Sequence, residues 1–148
     1  MRSQPIGHIS LDWIDYKGDS SLASRENGLI TIASFFLLKS QQGQRFGSAC
    51  MEQLEDQARK DPAVKALTLN VMYGEDASRR EMWDMLGVEF DPNKAVLQSW
   101  YTRRGYVQYA MKPRYEEKNA HTGETVLLNA AVSRILSFPV YFTDALYG

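Results

Sequence analysis

Leu29-Ile30-Thr31-Ile32-Ala33-Ser34-Phe35-Phe36-Leu37-Leu38, then Lys39-Ser40-Gln41, then Gln42-Gly43-Gln44-Arg45-Phe46-Gly47-Ser48, is the stretch on which the reading of this chain turns. Its first ten residues are an apolar run, rich in β-branched and aromatic side chains and bounded by polar ones. That length suits a buried strand better than a helix. After the turn, apolar residues recur at helical spacing: Phe46, Ala49, Cys50, Leu54 and Ala58. Glu55 with Arg59, and Asp56 with Lys60, are expected as i,i+4 pairs on the outer face. Asp61-Pro62 stops the helical run. A strand therefore enters a polar, glycine-containing turn and leaves as a helix. Unpaired backbone N–H groups gather at such a helix start, and the helix dipole favours an anion there.

Upstream, residues 6–14 alternate, with Ile6, His8 and Ser10 on one side and Gly7, Ile9, Leu11 and Trp13 mostly on the other. This reads as a strand with one apolar face, paired antiparallel with the run at 29–38 across a loop at 15–28. Downstream, residues 64–72 read as the next strand. Strand, helix, strand is a crossover unit, so a parallel pair is expected. Ser78-Arg79-Arg80-Glu81 reads as a capping box opening a short helix that Gly87 closes. Asp91-Pro92 opens another helix, with Val96, Leu97, Trp100 and Tyr101 as its apolar face and Gly105 at its end. Residues 106–115 and 125–135 read as a hairpin around a polar turn at 116–124. Residues 137–148 receive no assignment.

The chain's 148 residues suffice for one domain, placed at 1–136. Lys plus Arg number 17 against 18 Asp plus Glu, for a net charge of −1, so nothing argues for nucleic acid or an anionic membrane as partner. The one cysteine, Cys50, leaves no internal disulfide and fits a reducing, cytoplasmic setting. The longest apolar run falls short of the ~20 residues of a bilayer span. The first twelve residues are too polar for a secretory signal. No metal site is expected.

Two motifs carry a resemblance. Gln42-x-x-Arg45-x-Gly47 resembles the pyrophosphate loop of the GNAT N-acetyltransferase superfamily, whose signature is Gln or Arg, two residues, Gly, one residue, then Gly or Ala. Arg45 stands where the middle glycine belongs. Trp100-Tyr101-Thr102-Arg103-Arg104-Gly105-Tyr106 is similar to the family's segment of two aromatics, three residues, glycine and an aromatic. The resemblance implies a mixed α+β fold: a mostly antiparallel sheet with one parallel strand–helix–strand unit, lacking the family's usual N-terminal strand and helices. It also makes the segment of about twenty residues after residue 72 an insertion. Lys112-Pro113-Arg114-Tyr115 resembles fungal-type members.

What the family implies is transfer of an acetyl group from acetyl-coenzyme A, as cosubstrate, to a primary amine by direct attack. Backbone amides over residues 42–48 (Gln42, Gly43, Gln44, Arg45, Phe46, Gly47, Ser48) would hold the pyrophosphate. Strand backbone at Leu37 and Leu38 would meet the pantetheine amides. Tyr101 would give a proton to the departing thiolate. Asn93 stands one place beyond the spacing of a family asparagine. Asp76, Glu89 and His8 are candidate bases. An exposed sheet edge points to a homodimer. Each residue also has a plainer role: Gln42 and Gly47 shaping a turn, Tyr101 packing with Leu97 in the core, Cys50 a packed thiol, and the Arg79-Arg80 and Arg103-Arg104 pairs solvated faces. The alternative function is a catalytically silent GNAT-like remnant that binds coenzyme A or a protein partner.

Overall fold

The computed structural model describes residues 3–38, 42–43 and 45–136. Gln44 of the expected phosphate loop and the unassigned residues 137–148 lie outside them. The elements run β1 (Gly7–Asp12), β2 (Leu29–Leu37), α1 (Phe46–Lys60), β3 (Ala66–Met72), α2 (Gly74–Ala77), α3 (Arg80–Leu86), α4 (Pro92–Ala95), α5 (Leu97–Arg103), β4 (Val107–Lys118) and β5 (Thr125–Leu136). This is the mixed α+β class, with a five-stranded sheet in the order β1-β2-β3-β5-β4. Contacts divide the chain into two units, the second of them residues 70–134; the boundary after Leu69 falls within β3.

In the first unit β1 and β2 pair antiparallel, and β2 and β3 pair parallel, as the crossover reading requires. Leu29, Ile30 and Thr31 meet Ala66, Leu67 and Thr68. β3 is buried on both faces from Ala66 to Leu69, as a strand beside a parallel neighbour should be. β2 is buried only at Ile30, Thr31 and Ile32; Ala33, Ser34 and Phe36 are exposed. The run at 29–38 is thus half buried strand and half open face. A register shift causes part of this: Ser10 pairs Ser34 while Leu11 pairs Ile32, so Ala33 is an extra residue, a bulge.

Helix α1 buries Met51, Leu54, Glu55 and Ala58. The stripe is rotated from the expected one: Ala49 is exposed, and Glu55 lies on the buried face at 6% exposure rather than outside. Arg59 reaches Asp56, three residues back, on the exposed side. Burying Met51 and Leu54 contributes about 1.5–3 kcal/mol each. The loop at 15–28 is more than a connection. Leu22 within it is fully buried, and the Thr68 hydroxyl donates to its carbonyl. The Asp15 carboxylate is buried and accepts the N–H groups of Lys17 and Asp19 at 3.2 and 3.0 Å.

The second unit holds the four short helices and the β4–β5 hairpin, which pairs Val107 with Arg134 through to Lys118 with Thr125. Its turn is tighter than expected, closed by Asn119 N–H to the Glu124 carbonyl at 2.8 Å. Met82, Trp83 and Leu128 form its core with Met72, Met85, Leu86, Phe90 and Tyr115 around them. The capping box at 78–81 does not form. The Ser78 hydroxyl instead donates to the Gly74 carbonyl at 2.7 Å, closing α2, and α3 starts from Arg79 without a side-chain cap. Gly87 ends α3 in the left-handed region at φ 70°, as expected of a glycine there. Asp91 caps α4 through the N–H of Asn93 at 2.9 Å. The single helix expected from 91 to 104 is two, interrupted at Val96, which is 53% exposed and not part of an apolar face. Leu97 is also exposed, leaving Tyr101 as the buried residue of α5.

Candidate functional site

The turn between β2 and α1 belongs to the first unit. Gly43 has φ 83°, a conformation glycine adopts at no steric cost. Arg45, the N-cap of α1, sits at φ 64°, ψ 10°. It is the one described non-glycine residue with positive φ. The left-handed region costs an L-residue roughly 1–2 kcal/mol. Arg45 therefore occupies a glycine conformation at the place where the family signature has glycine. No side chain caps α1, and its first turn holds no acidic residue. The N–H of Ala49 bonds the Arg45 carbonyl at 3.2 Å, and among the described residues those of Phe46, Gly47 and Ser48 have no backbone partner. Three amides at the positive end of a fifteen-residue helix, beside an exposed guanidinium, make a seat for an anion.

Gln42 is tied back to the strand: its Nε2 donates to the Leu37 carbonyl at 3.1 Å. Ladder pairing between β2 and β3 stops at Thr31, whereas β2 continues to Leu37. The Leu38 N–H donates to the Ile6 carbonyl at 2.7 Å. Because antiparallel bonding alternates, Phe36 and Ser34 also turn their backbone groups towards β1. Phe35 and Leu37 then turn theirs to the opposite edge, where no described strand pairs with them. Of the two strand residues expected to meet a ligand through the backbone, Leu37 faces that edge and Leu38 is engaged with β1.

Tyr101, Asn93, Asp76 and Glu89 belong to the second unit. Tyr101 is 7% exposed, its ring edge-on to Trp100 at 4.9 Å and to Tyr106 at 5.8 Å. Burial pushes its phenol up to about 12, against an opposing pull from the Arg104 guanidinium. The hydroxyl thus keeps its proton through the neutral range and is a donor. Asn93 is exposed in the first turn of α4. Glu89 lines a shallow surface hollow with Arg80, Asp84, Val88 and Phe90. The arginine pairs are partly occupied by stacking: Arg80 lies over Phe90 at 4.5 Å and Arg104 over Trp100 at 5.5 Å.

Sequence reasoning missed one cluster. On the exposed face of β1 and β2 the His8 Nε2 and the Ser34 Oγ are 3.0 Å apart, and the Ser10 Oγ lies 3.0 Å from the same Ser34 Oγ. Strand alternation placed His8 and Ser10 on one face. Adding Ser34 needed the register, which the bulge at Ala33 shifts.

The model of the Acetyltransferase (GNAT) family matches residues 2–88, which include the loop but end before Trp100. No curated protein matches the chain. Among solved structures, it is similar to Ard1 from Thermoplasma volcanium, at 18% identity over 90% of this chain and 64% of that one, with a TM-score of 0.52. It is similar to NAA60 of Arabidopsis thaliana in complex with acetyl-CoA, at 12% identity over 88% and 65%, TM-score 0.55. It is also similar to the aminoglycoside acetyltransferase AAC(6')-Ib in complex with coenzyme A, at 14% identity over 97% and 66%, TM-score 0.55. The chain therefore spans just under two thirds of the length of these three. At such identities the likeness is one of fold.

Proposed function

Because the chain belongs to the Acetyltransferase (GNAT) family, we propose that it transfers an acetyl group from acetyl-coenzyme A to a primary amine by direct attack. The observation that carries this reading is the start of α1: amides of Phe46, Gly47 and Ser48 without an acidic first turn or a side-chain cap. A pyrophosphate there accepts from them, and the Arg45 guanidinium adds charge. Gly43 belongs to the same loop, and Gln42 fastens it to Leu37. The pantetheine amides pair with the edge of β2 at Leu37 and Phe35, where no described strand pairs and where the Leu37 carbonyl also accepts from Gln42. Asn93 is a further candidate for coenzyme contact.

In the reaction, the amine lone pair attacks the thioester carbonyl carbon, the C–N bond forms and the C–S bond breaks. Coenzyme A thiolate leaves. The protein's task is positioning and proton transfer. We assign Tyr101 as the hydrogen-bond donor to that thiolate. Its phenol, near 12, is a weaker acid than the roughly 8.5 of a free thiol. It stabilises the leaving group without giving up its proton completely.

A second reading, coenzyme A or protein binding without transfer, draws on Arg45, whose side chain occupies a loop position built for glycine. β1, at the sheet's edge with β2 as its one neighbour, offers a strand for a second copy to pair with. Calorimetric titration with acetyl-coenzyme A, followed by thiol release over a panel of primary amines, separates the two. Saturable binding with amine-dependent thiol release supports transfer. Binding without release supports the second reading.

A further inference from the structure

We propose that His8, through Ser34, accepts the proton of the attacking amine. The proposal rests on the acyl-transfer reading above and names a base for it. Ser34 Oγ has two partners 3.0 Å away, the His8 imidazole and the Ser10 hydroxyl. With the imidazole proton on Nδ1, Ser10 can donate to Ser34 and Ser34 to the His8 Nε2. The arrangement leaves the serine hydroxyl polarised towards an imidazole, the side chain best suited to taking and returning a proton at neutral pH.

The place in the fold agrees. Leu37, whose carbonyl holds Gln42, stands three residues after Ser34 on β2, about 10 Å at ~3.3 Å per residue. An extended pantetheine arm running back along the free edge from the loop brings its acyl group to this height. Ala33, the bulged residue, is next to Ser34, and both are exposed. Phe36 is 51% exposed with its ring 5.9 Å from that of His8, a wall for the carbon chain of an amine. Among the described residues the charged surroundings are sparse. β2 carries no charged side chain from Leu29 to Leu37. Asp12 on β1 has its carboxylate on the N–H of Ile14 at 3.0 Å. On α1, which also touches β1, Glu55 is buried and Asp56 and Arg59 are paired, leaving Glu52 and Lys60 exposed.

In the step, the amine nitrogen bonds the acyl carbon and becomes cationic. It passes a proton to Ser34 Oγ as Ser34 passes its own to His8 Nε2. The C–S electron pair leaves with the thiolate. His8 then releases the proton to water. No other reagent is needed.

The test is transfer from acetyl-coenzyme A to a panel of primary amines, measured from about pH 5 to 8, with coenzyme affinity measured in parallel. His8 is exposed, so His8→Gln is expected to fold and to bind the coenzyme as wild type does. It should lose about 10²-fold in kcat/KM, in line with a removed general base, and lose the rise of rate with pH. Added imidazole should restore part of the rate in His8→Ala, a response that a packing role does not give. Ser34→Ala should show a smaller loss of the same kind. Wild-type activity and pH profile retained in His8→Gln overturn this proposal and leave the transfer reading standing. Wild type that binds the coenzyme but acylates no amine overturns the transfer reading, and this proposal with it.

Discussion

The start of α1 and Tyr101 on α5 offer different chemistry for the roles proposed for them. At the first, the proposed groups are backbone amides of half-buried residues, and the side chains matter mainly through the conformations they permit. At the second, the proposed group is the phenol of Tyr101, a residue 7% exposed and packed against Trp100 and Tyr106. A backbone site is sensitive to geometry and tolerant of side-chain identity. A buried side-chain site is sensitive to identity, and its environment sets its acidity. Substitutions should therefore separate the two regions by which quantity they move: affinity at the loop, turnover and alkaline stability at Tyr101.

The largest effect is expected at the loop. Gly47→Pro removes one N–H in the first helical turn, where proline is tolerated and the fold should survive. Losing a charge-assisted hydrogen bond costs about 1.5–3 kcal/mol, so coenzyme Kd should rise roughly 10- to 100-fold by calorimetry. Unchanged affinity in the folded variant would remove the loop from the comparison. Next is Tyr101→Phe, which keeps the ring and deletes the hydroxyl. Turnover with an amine should fall about tenfold, below the ~10²–10⁴ of an efficient general acid, while coenzyme Kd stays put. A drop in affinity with constant turnover would reverse the assignment of roles.

Tyr101 also makes a stability prediction. Its folded pKa, near 12, lies above the 10.0 of a free phenol. Below pH 10 both states hold the proton and no differential exists. Above it the unfolded chain ionises first, so stability falls as pH rises from 10 towards 12. At pH 11 the loss is about 1 kcal/mol, and Tyr101→Phe should abolish that share in alkaline urea titrations. The smallest effect is at Arg45. Arg45→Gly relieves a left-handed residue, offset by the greater freedom of glycine in the unfolded chain, for a net gain of about 0.5–1 kcal/mol. It should weaken coenzyme binding a few-fold by removing the guanidinium. A variant that gains affinity instead would show that Arg45 crowds the loop.

What could be read in the sequence followed the same division. The strand–turn–helix–strand course from 29 to 72 and the closing hairpin were legible because length, alternation and glycine placement are local signals. Gly87 was read correctly as a helix end for the same reason. Arg45 was legible as a departure from the motif, but its left-handed conformation was not, since arginine gives no local sign of it. Signals that depend on competition between neighbours were not legible. Ser78 has the composition of a cap, yet Gly74 offers its hydroxyl an acceptor first. Val96 continues a helical pattern, yet the helix is interrupted there. Leu22 lies in a segment of polar and glycine residues and is fully buried because Thr68 and β3 hold it. The His8–Ser34 pair spans 26 positions and appears only with the register in hand.

The central claim is that a coenzyme pyrophosphate sits on the first amides of α1. Titrating the ¹⁵N-labelled protein with coenzyme A, and following amide shifts residue by residue, tests it directly. Saturable shifts are expected that are largest at Phe46, Gly47 and Ser48 and extend to Leu37, with the far end of α1 at Arg59 and Lys60 unmoved. Saturable shifts centred elsewhere, with those three amides silent, would contradict it.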